Sequence, residues 1–247
     1  VGRLAALVAV CAIALQLYFI GRIALMAVVD PQSTTFQRSE MWRLARETGR
    51  IAWGQQWVDD ARLGKHLKRA VIASEDSTFA DHAGVDWDAI ERAWERNQRA
   101  QDEAERRNER AARRSPNLPI TPVVAKQVGG STITQQLAKN LFLSAERTPL
   151  RKGQELLLTL ALETLLSKQR ILEIYLNHVE WGEGLFGAQA AARYYFRTDA
   201  ERLGAWQAAR LAVMLPAPKR FEKRMGSPWL ADRAATIAAR MNAVDVP

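Results

Sequence analysis

A mainly α-helical chain with one N-terminal membrane span is what this sequence predicts, on three observations. Residues 4–20 carry no charged side chain, and after Gly21 and Arg22 the apolar character resumes through Val29. That run satisfies the requirement of about 20 mostly apolar residues for a helix that crosses a bilayer. Further along, apolar residues recur at helical spacing in several stretches, and residues 156–166, LLLTLALETLL, are apolar almost all round, as for a helix in the middle of a domain. No stretch reads as a sheet.

With 247 residues and 48% hydrophobic composition, the chain has room for an anchor and one globular unit with a sizeable core. The 35 Lys and Arg against 27 Asp and Glu give a net charge of +8. Such a balance suits nucleic acid, an anionic membrane surface or an acidic substrate, and does not choose among them. Cys11, the single cysteine, lies in the first apolar run. A disulfide framework and a cysteine-based metal site are thereby excluded. A cleaved signal peptide has an apolar core of about 7–15 residues. The longer run here favours an uncleaved anchor over residues 1–29. Only Arg3 flanks it, and a long domain crosses regardless of its own charge, so the N-terminus is placed in the cytoplasm and the domain outside.

Residues 30–64 read as a membrane-proximal linker with an amphipathic segment. DPQSTT (30–35) is turn chemistry that ends the anchor. Trp42, Trp53 and Trp57 then stand among Arg43, Arg46, Arg50 and Arg62. Tryptophan with arginine suits the bilayer interface, whereas burial in the core is the simpler account of any one of these rings.

The domain proper is assigned to 65–247. Leu67, Ala70, Val71 and Ser74 share a helical face that leads to Glu75 and Asp76, which point about 100° apart, so only one can aim at a given atom. A carboxylate ending an apolar segment is partly desolvated, which makes it a better proton acceptor near neutral pH. His82 has no second histidine at ligand spacing and reads as a positioning residue. Residues 93–116 are rich in alternating charge and poor in apolar side chains, as for an exposed helix or mobile segment peripheral to the chemistry. Glu91, Glu95, Glu103, Glu105 and Glu109 among its arginines argue against nucleic acid. LPITPVV (118–124) reads as an extended connector.

Residues 129–140, GGSTITQQLAKN, bring glycines that allow close approach and Ser131, Thr132 and Thr134 as helix caps, before Lys139, Arg147, Arg151 and Lys152. A phosphate-bearing ligand and an ordinary capped helix with a basic face both fit. Arg151 and Glu155, four apart on a helix beginning near Pro149, share a face. Lys168, Arg170 and Glu173 surround the next helical turn, Gly182, Gly184 and Gly187 punctuate a loop, and LGAWQAARLAVML (203–215) is a helix stopped by Pro216 and Pro218.

Four ordered blocks, AVIASEDSTFADHAG, GGSTITQQLAKN, RTPLRKGQE and SKQRILEIYLN, together resemble the peptidoglycan glycosyltransferases shared with bifunctional penicillin-binding proteins. With NHVEWGEGLFGAQAAARYYF the resemblance covers residues 65–221, and the length looks like the monofunctional, membrane-anchored form with no transpeptidase domain. What the resemblance implies is a lysozyme-like, two-lobed helical fold with Glu75 as general base and Glu155 as second essential carboxylate. It implies a substrate-binding set of Asp76, Phe79, His82, Arg92, Gly130, Ser131, Thr132, Thr134, Gln135, Gln136, Lys139, Asn140, Arg147, Arg151, Lys152 and Lys168. The implied reaction joins lipid II, an undecaprenyl-diphosphate-linked disaccharide-peptide, to a growing glycan strand with inversion to a β-1,4 link. Cations would steady the departing diphosphate. Glu155 would orient them or help hold a divalent cation, Mg or Mn, that some members use. The implied setting is the periplasmic face of the inner membrane, with cell-wall synthesis or division proteins as partners.

Two other classes remain open at this level. A lysozyme-like hydrolase also uses two carboxylates but needs neither the cationic cluster nor an anchor. A tethered module that binds anionic polymers needs the net charge but not the ordered motifs.

Overall fold

The computed structural model describes residues 2–114, 121–125, 127–144, 146 and 148–247. Eleven α-helices dominate the described residues: α1 (Gly2–Leu25), α2 (Thr35–Thr48), α3 (Lys65–Glu75), α4 (Trp87–Arg114), α5 (Ile133–Phe142) and α6 (Pro149–Leu165) come first. They continue with α7 (Lys168–His178), α8 (Ala188–Phe196), α9 (Ala205–Ala212), α10 (Pro218–Phe221) and α11 (Pro228–Arg240). The chain forms two compact units, Val1–Gly84 with Thr132–Pro247, and Val85–Ser131.

Local chemistry starts many of the helices in the larger unit. Thr34, Thr132, Thr148, Ser167 and Ser227 each accept a hydrogen bond from the backbone N–H three residues on, and Pro149 and Pro228 occupy the first helical position. The buried central helix is α7, with Ile171, Leu172, Ile174, Tyr175 and Leu176 all removed from solvent. α3 turns Leu67, Ala70 and Val71 inward against α9 and α11. Each fully buried leucine stabilises by about 1.5–3 kcal/mol.

The leucine-rich helix predicted to lie in the middle, α6, does not. Its inner face is buried, but Leu150, Leu157 and Leu160 are exposed, and α1 packs alongside it. A helix apolar all round needs apolar surroundings, and lipid meets that need as well as protein does. α1 is 24 residues long and its most apolar 18-residue stretch has a mean hydropathy of 2.3, long and apolar enough to cross a membrane. Gln16 of α1 and Gln154 of α6 exchange amide hydrogen bonds of 2.8 and 3.0 Å, and Phe19 meets Phe142 edge-on at 5.3 Å. At the end of α1, Ile23 and Met26 are buried in the core. Arg170 donates to the Met26 carbonyl at 2.8 Å and pairs with Asp30 at 2.7 Å.

Of the three tryptophans near the anchor, Trp53 stacks on Phe186 at 4.6 Å and Trp57 lies under the Arg170 guanidinium at 5.5 Å. Trp42 alone stays 66% exposed, with Arg46 over its ring. A small sheet corrects the expectation of none: β1 (Gly54–Gln55), β2 (Glu180–Gly182) and β3 (Leu185–Phe186) pair in the order β1-β3-β2, parallel and then antiparallel. Strands of two or three residues carry no readable alternation. Gly184, at φ +69°, makes the turn, and a Cβ there would sit 2.1 Å from the Ala52 carbonyl oxygen.

In the smaller unit, α4 runs without a break for 28 residues. Most of it is exposed, as its charges predict, but Ala93 and Ala104 are buried. Asn97 trades two hydrogen bonds with the Val128 backbone and Asn108 two with Val123, so an extended strap is clamped to the helix at two points.

Candidate active site

Glu75 closes α3 and is only half-buried. Gln136 of α5 donates to its Oε2 at 3.0 Å and the Ser74 hydroxyl lies 3.4 Å from Oε1. Burial pushes the Glu75 carboxyl above the ordinary carboxylate range; Gln136 and Ser74 pull it down, Asp76 adds to the rise and Lys139 opposes it. The opposing hydrogen bonds do not cancel desolvation, so the group is a stronger proton acceptor than a surface glutamate.

Asp76 faces the other way, as two neighbouring acids must. Its Oδ2 accepts from the Ile133 N–H at 2.9 Å, at the start of α5, and its Oδ1 lies 2.9 Å from His82 Nε2. The Gly84 N–H in turn donates to His82 Nδ1 at 3.1 Å. Asp76 and His82 thus bind the end of the first motif to the second, a positioning role. Phe79 is fully buried and packs its ring 4.5 Å from the Lys168 ammonium.

The polar run before α5 is largely committed to its own helix. Thr132 and Gln135 form a reciprocal cap, and the Thr132 hydroxyl donates to the Gly84 carbonyl at 2.6 Å. Thr134 is buried and donates to Glu163 at 2.5 Å; Glu163 also pairs with Lys168 at 2.9 Å. Gln136 and Asn140 stay half-buried and Lys139 is exposed. Within the smaller unit, Ser131 is exposed and Arg92 lies 3.7 Å from Asp86. Gly130 there packs on α4, where a Cβ would come within 3.1 Å of Ile90 Cα. The close approach that this glycine permits is helix against strap.

On α6, Glu155 is 3% exposed and spans two cations: Arg151 donates to Oε2 at 2.8 Å and Lys152 to Oε1. Arg151 Nε is buried without a hydrogen-bond partner. Both Glu155 oxygens are taken by cations, and no group of three metal-capable side chains occurs among the described residues. The residues present therefore do not fit a divalent cation held on Glu155, and no step is routed through one. Arg147 lies outside the described residues.

The model of the family described as Transglycosylase matches residues 45–106 and 121–242. The chain belongs to that family. A biosynthetic peptidoglycan transglycosylase of Burkholderia orbicola is 52% identical over 235 residues, covering 95% of this chain and 86% of the relative. Proteins of the same description from Burkholderia multivorans and Burkholderia thailandensis are each 51% identical over 95% of this chain, covering 86% and 83% of their own lengths. Three side chains of this transglycosylase escaped the sequence reading of the site. Glu163 ties Thr134 to Lys168, Tyr175 meets Gln136 and Arg170 grips the anchor. Glu163 and Tyr175 sat in helical apolar runs, where period reveals which face is buried but not which polar atom it carries.

Proposed function

We propose that this enzyme polymerises lipid II into β-1,4-linked glycan, with Glu75 taking the proton from the sugar hydroxyl that attacks the lipid-linked anomeric carbon. The observation that carries the proposal is the Glu75 carboxylate, pushed above its ordinary range yet held by Gln136 with Lys139 nearby. A base of this kind works in its ionised form, so turnover falls as pH drops through its raised pKa. As the diphosphate departs with the acceptor's attack, charge grows on its oxygens and preplaced cations stabilise it. Lys139, Arg151 and Lys152 are the described cations assigned to that task, with Glu155 as the organiser of the last two. The anchor and the exposed leucines of α6 support a bilayer as the setting, the inner membrane with the domain in the periplasm.

One incubation tests the proposal. The purified chain given lipid II in detergent yields longer glycan if it is a polymerase. Shortened glycan from finished cell wall marks a hydrolase, and no change in either substrate refutes both enzyme readings.

A further inference from the structure

We infer that Tyr175 is a positioning residue for the reaction, its hydroxyl fixing which end of the Gln136 amide Glu75 meets. Tyr175 of α7 is 1% exposed, and its O–H donates to Gln136 Oε1 at 3.0 Å. The opposite end of the same amide donates from Nε2 to Glu75 Oε2 at 3.0 Å. Three elements are joined in one row: α7 supplies a donor, α5 the amide and α3 the acceptor.

An amide has one donating and one accepting end, so what one end meets decides what the other offers. Burial beside Glu75 and Asp76 holds the Tyr175 hydroxyl well above its ordinary range, and it keeps its proton at every working pH. With that O–H on Oε1, the N–H₂ end is turned to the carboxylate and favours its ionised form. Successive hydrogen bonds in a partly buried row also polarise one another, by about 10–30% per bond.

On the elements that form or flank this row, Lys68 of α3 pairs with Asp60 at 2.6 Å, Arg151 and Lys152 of α6 pair with Glu155, and Arg170 of α7 pairs with Glu173 at 2.7 Å. Asp76 and Lys139 act on Glu75 from its own segment and from α5, and Glu163 and Lys168 pair with each other. Arg210 of α9 donates to the Met225 carbonyl, and Asp232, Arg233 and Arg240 of α11 are exposed.

The inference rests on Glu75 being the base, and the test separates the two. Full-length protein in detergent carries δ-¹³C glutamate, and the Glu75 resonance is identified as the one missing in Glu75→Gln. Its titration is followed beside the pH profile of turnover on lipid II. In Tyr175→Phe the Glu75 titration moves up by about half a pH unit, and the acid limb of turnover moves with it. Gln136→Met, which removes the donor itself, moves both by about one to two units and serves alone if Tyr175→Phe does not fold. A Glu75 titration that moves while the acid limb stays supports the row and overturns Glu75 as base. A Glu75 titration unchanged in either folded variant overturns the row.

Discussion

Replacing Arg170 by methionine tests how the anchor is joined to the domain. The guanidinium is 15% exposed and serves three acceptors: the Met26 carbonyl at 2.8 Å, Asp30 at 2.7 Å and Glu173 at 2.7 Å. Met26 lies just past the end of α1, where orphan carbonyls gather and a cation is favoured. Methionine gives up the cation over Trp57 and leaves the Glu173 carboxylate, 11% exposed, with the Asp60 N–H at 2.8 Å as the remaining partner of its side chain among the described residues. Removing one partner of a buried pair costs about 3–5 kcal/mol. Arg170 and Glu173 keep 15% and 11% of their side-chain surface and Asp30 keeps 40%, so solvent screening brings the whole loss down to about 2–4 kcal/mol. For a domain of this size each kcal/mol moves Tm by about 2–4 °C, so a fall of roughly 5–15 °C is expected in detergent. The assay is thermal unfolding followed by near-UV circular dichroism, with Asp30→Asn and the double variant closing a cycle. A melting point within about 2 °C of the unaltered chain would refute the docking. A chain beginning at Gln32 lacks the buried Ile23 and Met26, and it should melt below even Arg170→Met.

Glu75→Gln should lose turnover by about 10²–10⁴ while the lipid-linked donor still binds, read by separate affinity and rate measurements. The same variant should raise Tm: a carboxyl whose folded pKa is raised contributes stability only at low pH, lost as pH rises, and glutamine has no charge to desolvate. Glu155→Gln should weaken donor binding as well as turnover, because Arg151 and Lys152 lose the acceptor that aligns them. Glu180, raised by burial from 4.5 to about 7, stabilises the fold below its ordinary range and loses that contribution as pH climbs through about 7. Thermal scans from pH 5 to about 8.5 should show that slope, and Glu180→Gln should flatten it. Asn108→Ala should speed amide exchange at Val123 without moving the melting of the larger unit, because the clamp lies within the smaller one.

Sequence by itself determined what local physics determines. The anchor follows from apolar length, and α3, α5, α6 and α7 from period and capping residues, since a helix closes its hydrogen bonds within its own segment. The charge pattern of α4 foretold a largely exposed helix, though not the two asparagines that hold a strap against it. Tertiary structure alone decided which polar atoms are spoken for. Asp76, Thr132 and Gln135 resemble ligand groups in the motif, yet their atoms are committed to joining and capping segments, because a buried donor or acceptor left unpaired is costly. Tyr175 and Glu163 gained their partners only when α5, α6 and α7 came side by side. A stripe of leucine on α6 looks the same in sequence whether protein or lipid covers it; its neighbour α1, more than a hundred residues earlier in the chain, decided which side faces out.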